Sequence, residues 1–285
     1  MKFSYFEAKS IEEAVSLLSE YGEKSRIIAG GTDLLVQIRG RAIKPEYVID
    51  IGGIDGLDYI KYDKRQGLTI GVLTPISALE KSSELQERFP VISQAASQLG
   101  SVAIRNMGTI GGNLCNASPS ADMAPSLIGL SANVKLVGPG GERLVPLEDF
   151  FTGPGSTVLG KGEMLVEIQV PESEANTKGI YLKHGLRGTI DLAIVGVAAV
   201  ATLEADSKIC KDIKIVLGAV APTPMRAREA EEILRNKRID EVLINKSAEA
   251  AADEARPISD VRASAVYRKE MVKVFTRRAI KEVLN

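Results

Sequence analysis

The sequence predicts an α+β protein, on three observations. Residues 1–55 read as a small βαβ-type unit with a glycine loop where strand meets helix. From residue 57 the pattern turns to alternating strand runs around tight turns. The last third carries strand runs first and helical runs afterwards, the segregated order of an α+β domain.

The elements follow in order from local chemistry. Ser10-Ile11-Glu12-Glu13 has the form of a capping box, with Ser at the N-cap and Glu three residues on. Ala14, Val15, Leu17, Leu18 and Tyr21 continue at helical spacing until Gly22 stops the helix. Arg26 to Ala29 is a short strand, Gly30-Gly31 its turn, and Leu34 to Ile38 a short helix. Tyr47 to Ile51 is a strand. Leu57–Tyr62 and Leu68–Val72 alternate like strands about an Asp-Lys-Arg-Gln-Gly turn. One helix is expected over Ile76 to Glu87, and another opens at Pro90, where a missing N–H costs nothing. Ala132–Val137 and Glu142–Pro146 form a hairpin, and Met164–Val170 a strand ended by Pro171. The polar run Glu172 to Thr177 reads as a linker. Strands then cover Gly179–His184, Ala193–Leu203 and Ile209–Leu217. Helices are expected over Arg226–Asn236, Asp240–Ala255 and Asp260–Leu284. The last turns Val261, Ala265, Val272, Phe275, Ala279 and Val283 inward.

Composition removes several classes. At 285 residues the chain can bury a full core, and its 45% hydrophobic and 26% charged residues are those of a globular protein. A net charge of −1 gives no basic face for nucleic acid, and with no Trp the stacking platforms for single strands are also absent. No run of 18 apolar residues occurs, so no membrane span is expected. The start, Met1 to Glu7, lacks an apolar core, so no secretory signal is expected, and the location reads as cytoplasmic. Cys115 and Cys210 form no cluster, so the chain carries neither an iron–sulfur nor a zinc site of its own.

Two glycine loops stand out, Ile27-Ile28-Ala29-Gly30-Gly31-Thr32-Asp33-Leu34-Leu35 and Arg105-Asn106-Met107-Gly108-Thr109-Ile110-Gly111-Gly112-Asn113. Glycine lets the main chain approach a ligand with no Cβ in the way, and successive N–H groups can converge on an anion. Each loop could also be a plain turn, but the pair suggests one diphosphate held from two sides. Gly155 to Gly162 matches P-loop spacing up to its last position, where Gly162 replaces the magnesium-holding Ser or Thr. No GxGxxG occurs, so a Rossmann site is unsupported. His184 is the single histidine, which leaves no His-based metal site. Asp122 could accept sugar hydroxyls or simply open a helix. Lys183 could be a solvated strand end or face a ligand.

Ile28 to Leu34, the stretch Arg105 to Asp122, and Asp260 to Arg268 with Arg277-Arg278-Ala279 resemble the FAD-binding medium subunits of molybdenum hydroxylases, the xanthine dehydrogenase and carbon monoxide dehydrogenase family. The resemblance covers essentially the whole chain. It implies a two-lobed FAD-binding domain of the vanillyl-alcohol-oxidase (PCMH) type followed by a small C-terminal α/β domain. Its lobes would be 1–55 and 56–175, and the C-terminal, CO-dehydrogenase-flavoprotein-like domain 176–285.

Residue roles follow from the same resemblance. Ile27, Ile28, Ala29, Gly30, Gly31, Thr32, Asp33 and Leu34 would cradle the pyrophosphate. Thr109, Ile110, Gly111, Gly112 and Asn113 would hold it from the other side. Asp122 would bind near the ribose or adenosine, and Lys183 would lie near the flavin. Leu99 and Leu165 would line the ring or adenine environment, with Ile104 in the same cofactor-binding set. Leu99 replaces the aromatic found in xanthine dehydrogenases of higher organisms. The first loop has no His, so FAD is expected to be non-covalent. No catalytic side chain and no metal ligand is expected here, because the flavin carries the redox chemistry.

Molybdopterin and two [2Fe–2S] clusters are expected only on partner subunits, one large and one small. Electrons would pass through FAD to NAD or another acceptor. The four-cysteine insertion of relatives acting on benzoyl-CoA substrates is absent. Two other readings compete: a free-standing flavin oxidoreductase of the same fold, and a non-catalytic assembly module.

Overall fold

A computed structural model describes residues 2–188, 190–204 and 209–284. The chain opens with β1 (Ser4–Glu7), α1 (Ile11–Tyr21), β2 (Ser25–Ile28), α2 (Leu34–Arg39) and β3 (Tyr47–Asp50). The three strands form a parallel sheet in the order β1-β3-β2. Strand β1 carries no sequence signal because as an edge strand it is mostly exposed. Ser10 caps α1 as expected, its Oγ accepting the Glu13 N–H at 3.2 Å. The Glu13 carboxylate reaches the N–H of Lys9, one residue before the N-cap, at 2.7 Å. Gly22 ends the helix at φ +53°, a conformation glycine adopts without a Cβ penalty.

A second set follows: β4 (Ile60–Asp63), β5 (Gly67–Gly71), α3 (Ile76–Lys81), α4 (Ser83–Arg88), α5 (Pro90–Ser97), α6 (Val102–Met107), α7 (Ile110–Cys115) and α8 (Met123–Gly129). Then come β6 (Asn133–Gly138), β7 (Gly141–Pro146), β8 (Phe151–Gly153), β9 (Ser156–Thr157) and β10 (Met164–Val170). An antiparallel sheet runs β4-β5-β10-β6-β7, with β8 and β9 pairing separately. Strand β10 is central, opens on the buried run Met164 to Val166, and then alternates, the buried Ile168 and Val170 flanking half-buried Glu167 and Gln169. The single helix expected over Ile76 to Glu87 is two helices. Ser82 takes extended backbone angles and caps α4, accepting the Leu85 N–H at 3.3 Å.

The last third comprises β11 (Thr177–His184), β12 (Val195–Leu203), β13 (Ile209–Gly218), β14 (Met225–Arg226), α9 (Arg228–Leu234), β15 (Lys237–Arg238), α10 (Glu241–Glu254) and α11 (Ala265–Leu284). Its sheet is antiparallel, in the order β11-β12-β13-β14, with β15 beside β13. Strand β12 feeds two cores by its two-residue period. Val195, Val197, Ala199 and Ala201 join the cluster with α9, α10 and α11. Ala198 and Val200 join the cluster that holds α5, α8 and β10.

The final helix starts at Ala265, not at Asp260. The Asp260 carboxylate accepts the N–H groups of Arg262 and Ala263 at 2.9 and 3.2 Å, which fixes a turn before the helix. Val261 sits on that turn and is fully exposed rather than inward. The buried face of α11 is Arg268, Val272, Thr276, Ala279, Ile280 and Val283.

Candidate cofactor-binding cleft

All three strands of the first sheet are parallel, so their carboxyl ends share one edge. The first glycine loop leaves β2 at that edge and enters α2. Open α/β sheets bind ligands outside such edges. Among the described residues, no acceptor takes the backbone N–H of any residue from Ala29 to Leu34. Gly31 takes φ +69°, which turns the run back on itself. The result is a bend of successive free donors, the geometry of an anion nest.

The second loop is built differently. Thr109 caps α7, its Oγ1 accepting the Gly112 N–H at 3.1 Å. The N–H of Ile110 donates to Thr74 O and that of Gly111 to Val72 O, both at 3.0 Å, and Asn113 N–H donates to Thr109 O at 3.0 Å. The donors of Ile110 to Asn113 are therefore committed to the chain itself, and these residues form a fixed wall opposite the first loop. One polar atom there is left over: Asn113 Oδ1 is buried and accepts no hydrogen bond among the described residues.

Two of the glycines serve protein packing rather than ligand approach. A Cβ on Gly30 would lie 1.8 Å from Met107 O, and a Cβ on Gly111 would lie 1.9 Å from Val72 Cγ2. The close approach made possible at these positions is of loop to loop and of helix to strand. Gly112 differs, for its Cβ would meet only Thr109 Oγ1, at 3.1 Å.

Between the loops lies a cleft of about 430 Å³. Ile27, Ala29 to Leu34, Leu99, Ile104, Thr109, Gly111 to Asn113 and Leu165 all line it. Four expected residues do not. Ile28 is tied to β3 through its carbonyl, which accepts the Ile51 N–H at 3.1 Å. Ile110 is fully buried in the core. Asp122 and Lys183 pair with each other, Nζ to Oδ2, at 2.8 Å, and both side chains are buried. The Tyr181 hydroxyl donates to Asp122 Oδ1 at 2.8 Å, and Lys183 Nζ donates to Gln98 O at 2.9 Å. This group stands behind Leu99, the residue after Gln98. Lys183 also borders a separate cavity of about 320 Å³ beside Arg105.

Several lining residues carried no sequence signal. Gln37 Nε2 donates to Asn116 Oδ1 at 3.0 Å and so ties α2 to the end of α7. Gly155, from the imperfect P-loop spacing, reaches the cleft with φ +70°, its N–H donating to Ala117 O at 3.0 Å. Cys115 also lines the cleft. Among the described residues no cluster of His, Cys, Asp and Glu suits a metal ion.

Burial sets the electrostatics. Desolvation raises the Asp33 carboxyl above its ordinary range, although one side of the residue meets solvent. Burial also raises Asp122, against the opposing pull of the Lys183 ammonium and the Tyr181 hydroxyl. The Cys115 thiol is pushed up to about 12 by burial alone. Free N–H donors at one end and apolar walls such as Ile27, Leu99 and Leu165 along the sides suit a ligand with an anionic diphosphate and a flat apolar group. The residues present thus fit FAD.

Known proteins bear on the same point. Residues 1–173 match the family described as FAD binding domain in molybdopterin dehydrogenase, and residues 180–283 match the CO dehydrogenase flavoprotein C-terminal domain. The glyceraldehyde dehydrogenase medium chain of Sulfolobus acidocaldarius is 36% identical over 282 residues, covering 99% of this chain and 98% of that one. The xanthine dehydrogenase FAD-binding subunit of Escherichia coli O157:H7 is 30% identical, over 99% of this chain and 96% of its own. The solved CO dehydrogenase from Oligotropha carboxidovorans superposes with a TM-score of 0.95 at 33% identity, over 100% of this chain and 98% of that one. A match across both halves of the chain leaves one conclusion: it belongs to the FAD-binding flavoprotein subunits of the molybdenum hydroxylases, the family of xanthine dehydrogenase and carbon monoxide dehydrogenase medium chains.

Proposed function

We propose that the chain holds FAD non-covalently in this cleft and relays electrons between the [2Fe–2S] clusters of a partner subunit and NAD or another acceptor. The observation that carries the reading is the run of undonated N–H groups from Ala29 to Leu34 at the cleft wall. Bound FAD supplies the redox chemistry, and the protein supplies binding, orientation and field. The N–H groups of this run donate to the diphosphate, each charge-assisted bond contributing about 1.5–3 kcal/mol. Asn113 Oδ1 takes a donor from the ligand, which removes a buried unpaired acceptor. Leu99 and Leu165 exclude water from the apolar part of the cleft. Asp122 and Lys183 act from behind Leu99, fixing its backbone through Gln98 O. A large molybdopterin subunit and a small [2Fe–2S] subunit complete the complex, in the cytoplasm. No described helix is long and apolar enough to cross a membrane.

The test uses the purified chain and Gly112→Asp. The unmodified chain should carry flavin absorbing near about 450 nm, as bound flavins do. Gly112→Asp sets a carboxylate at the exposed face of the second loop and should lose the flavin while keeping its fold by circular dichroism. A colourless chain that binds no added FAD overturns the proposal. A solitary chain that turns over a small substrate unaided would favour the free-standing oxidoreductase.

A further inference from the structure

The cleft is poorly balanced in charge. Asp33 is the single acid among its lining residues and Arg26 the single cation. Arg26 does not serve Asp33. Its Nη1 donates to Glu23 O and Ser25 O, at 2.8 and 2.7 Å, which holds the guanidinium toward the start of β2. Asp33 lies in the loop that leaves the other end of that strand. Its carboxylate caps nothing in α2 and has no hydrogen-bond or ion-pair partner among the described residues.

The titratable groups of the surrounding elements are engaged elsewhere. On β1, Glu7 pairs with Lys9. Asp50, at the end of β3, accepts the Tyr5 hydroxyl and, at 2.7 Å, the Gly52 N–H. Arg105 of α6 pairs with Glu80 at 2.7 Å. Arg39 ends α2, and Arg41 and Lys44 lie beyond it, all exposed to water. On α7 the Cys115 thiol, pushed up to about 12, is uncharged near neutrality. Behind Leu99, Asp122 keeps Lys183 and Tyr181. Burial therefore raises the Asp33 carboxyl with no charge opposing it.

A ligand in the cleft changes these surroundings twice over. It displaces the water that solvates the carboxylate, and it brings a diphosphate anion to the N–H groups of the same loop. Both changes penalise the charged carboxylate and spare the neutral acid. The neutral acid also gains a partner, because its O–H is a donor and a phosphate oxygen is a charged acceptor. We propose that FAD binding draws one proton from solvent onto Asp33, which as a neutral acid donates to the diphosphate. The inference rests on the proposed function above, since it needs FAD in this cleft. Its sign follows from linkage. The complex holds the proton more tightly than the free chain, so binding is strong at low pH and weakens as pH rises through the complex's value.

The test titrates the full chain, freed of flavin, with FAD at about pH 5.5 and about pH 8, a range above the ordinary carboxylate value. Each titration is run with magnesium and with a chelator. The parent should bind FAD about tenfold more weakly at the higher pH, within the limit of one decade per pH unit that a single proton sets. Asp33→Asn stands for the neutral acid and should show no such slope. At the higher pH it should bind about tenfold more tightly than the parent, although a side chain of the cleft has been changed. Asp33→Ser, a second neutral residue suited to this N-cap position, should also be flat. Calorimetry in two buffers of different ionisation heat should record net proton uptake for the parent and none for the variants. An affinity of the parent that ignores pH overturns the inference. So does a slope that survives in both variants, which would pass the proton to Asp122 or to His184, held against Tyr267 outside the cleft. So do weak binding by both folded variants at both pH values, and a magnesium requirement that both variants lose, which would put a cation where the proton is placed. Failure of the unmodified chain to bind FAD at either pH would instead sink the functional proposal.

Discussion

The carbonyl of Met107 occupies the place a side chain on Gly30 would need, since a Cβ there would lie 1.8 Å from it. The two cofactor loops are thus in backbone contact, and Gly30 is a packing residue before it is a binding residue. Gly30→Ala should force the loops apart. Overpacking against backbone should cost about 1–3 kcal/mol in urea unfolding and abolish FAD binding together. Gly112→Ala makes the contrast. Its Cβ meets only Thr109 Oγ1, and alanine favours α7 by roughly 0.5–1 kcal/mol. That variant should be as stable as the parent or more so. Equal destabilisation of both would contradict the division of roles.

How much of this was legible in the sequence differs residue by residue. Strand β10 was read over its full length because Met164 to Val170 is bounded by turn chemistry and Pro171. The break at Ser82 was not, because Ser is compatible with a helix and only the backbone angles reveal the cap. The glycine loops were recognisable as a pair, yet their unequal donors were not. Whether Gly111 N–H is free depends on Val72 O, which lies far away in sequence. Asp122 and Lys183 read as separate candidates in the sequence, while the fold sets β11 beside the start of α8 and so pairs them.

Asp260 should make the protein acid-sensitive at its C-terminal lobe. Hydrogen bonds from the Arg262 side chain and backbone, then from Arg268 and Ala263, hold its carboxyl well below the usual carboxylate range. A depressed folded value adds stability above the unfolded value of about 4, and that stability is lost as pH falls below it. Asp260→Asn should therefore lower Tm at pH 7, with the gap to the parent narrowing below about pH 4. A gap that stays constant with pH would show that the charge is irrelevant.

The two cysteines should be inert in the folded protein. Burial pushes the Cys115 thiol up to about 12, and burial with the Asp212 charge pushes Cys210 to about 11. The thiolate is the reactive form, so at pH 8 both should resist alkylation until denaturant is added. Titration with a thiol reagent should count none natively and two after unfolding. Rapid native labelling of Cys115 would mean that the cleft opens in solution.

The Asp122–Lys183 pair gives a sharper test, because removing one partner should cost far more than removing both. Lys183→Met leaves a carboxylate buried with only the Tyr181 hydroxyl, and breaking a buried pair costs about 3–5 kcal/mol. Asp122 is already raised by burial, and losing the ammonium would raise it further. A raised folded value means the native state binds the proton more tightly than the unfolded chain. The penalty is then largest at high pH and relieved as pH falls through that value. Lys183→Met should consequently be less destabilised at pH 5 than at pH 8. The double variant Asp122→Asn/Lys183→Met should recover most of the loss, because Asn can still accept from Tyr181. If the double variant were no more stable than the single one, the pair would matter for shape and not for charge.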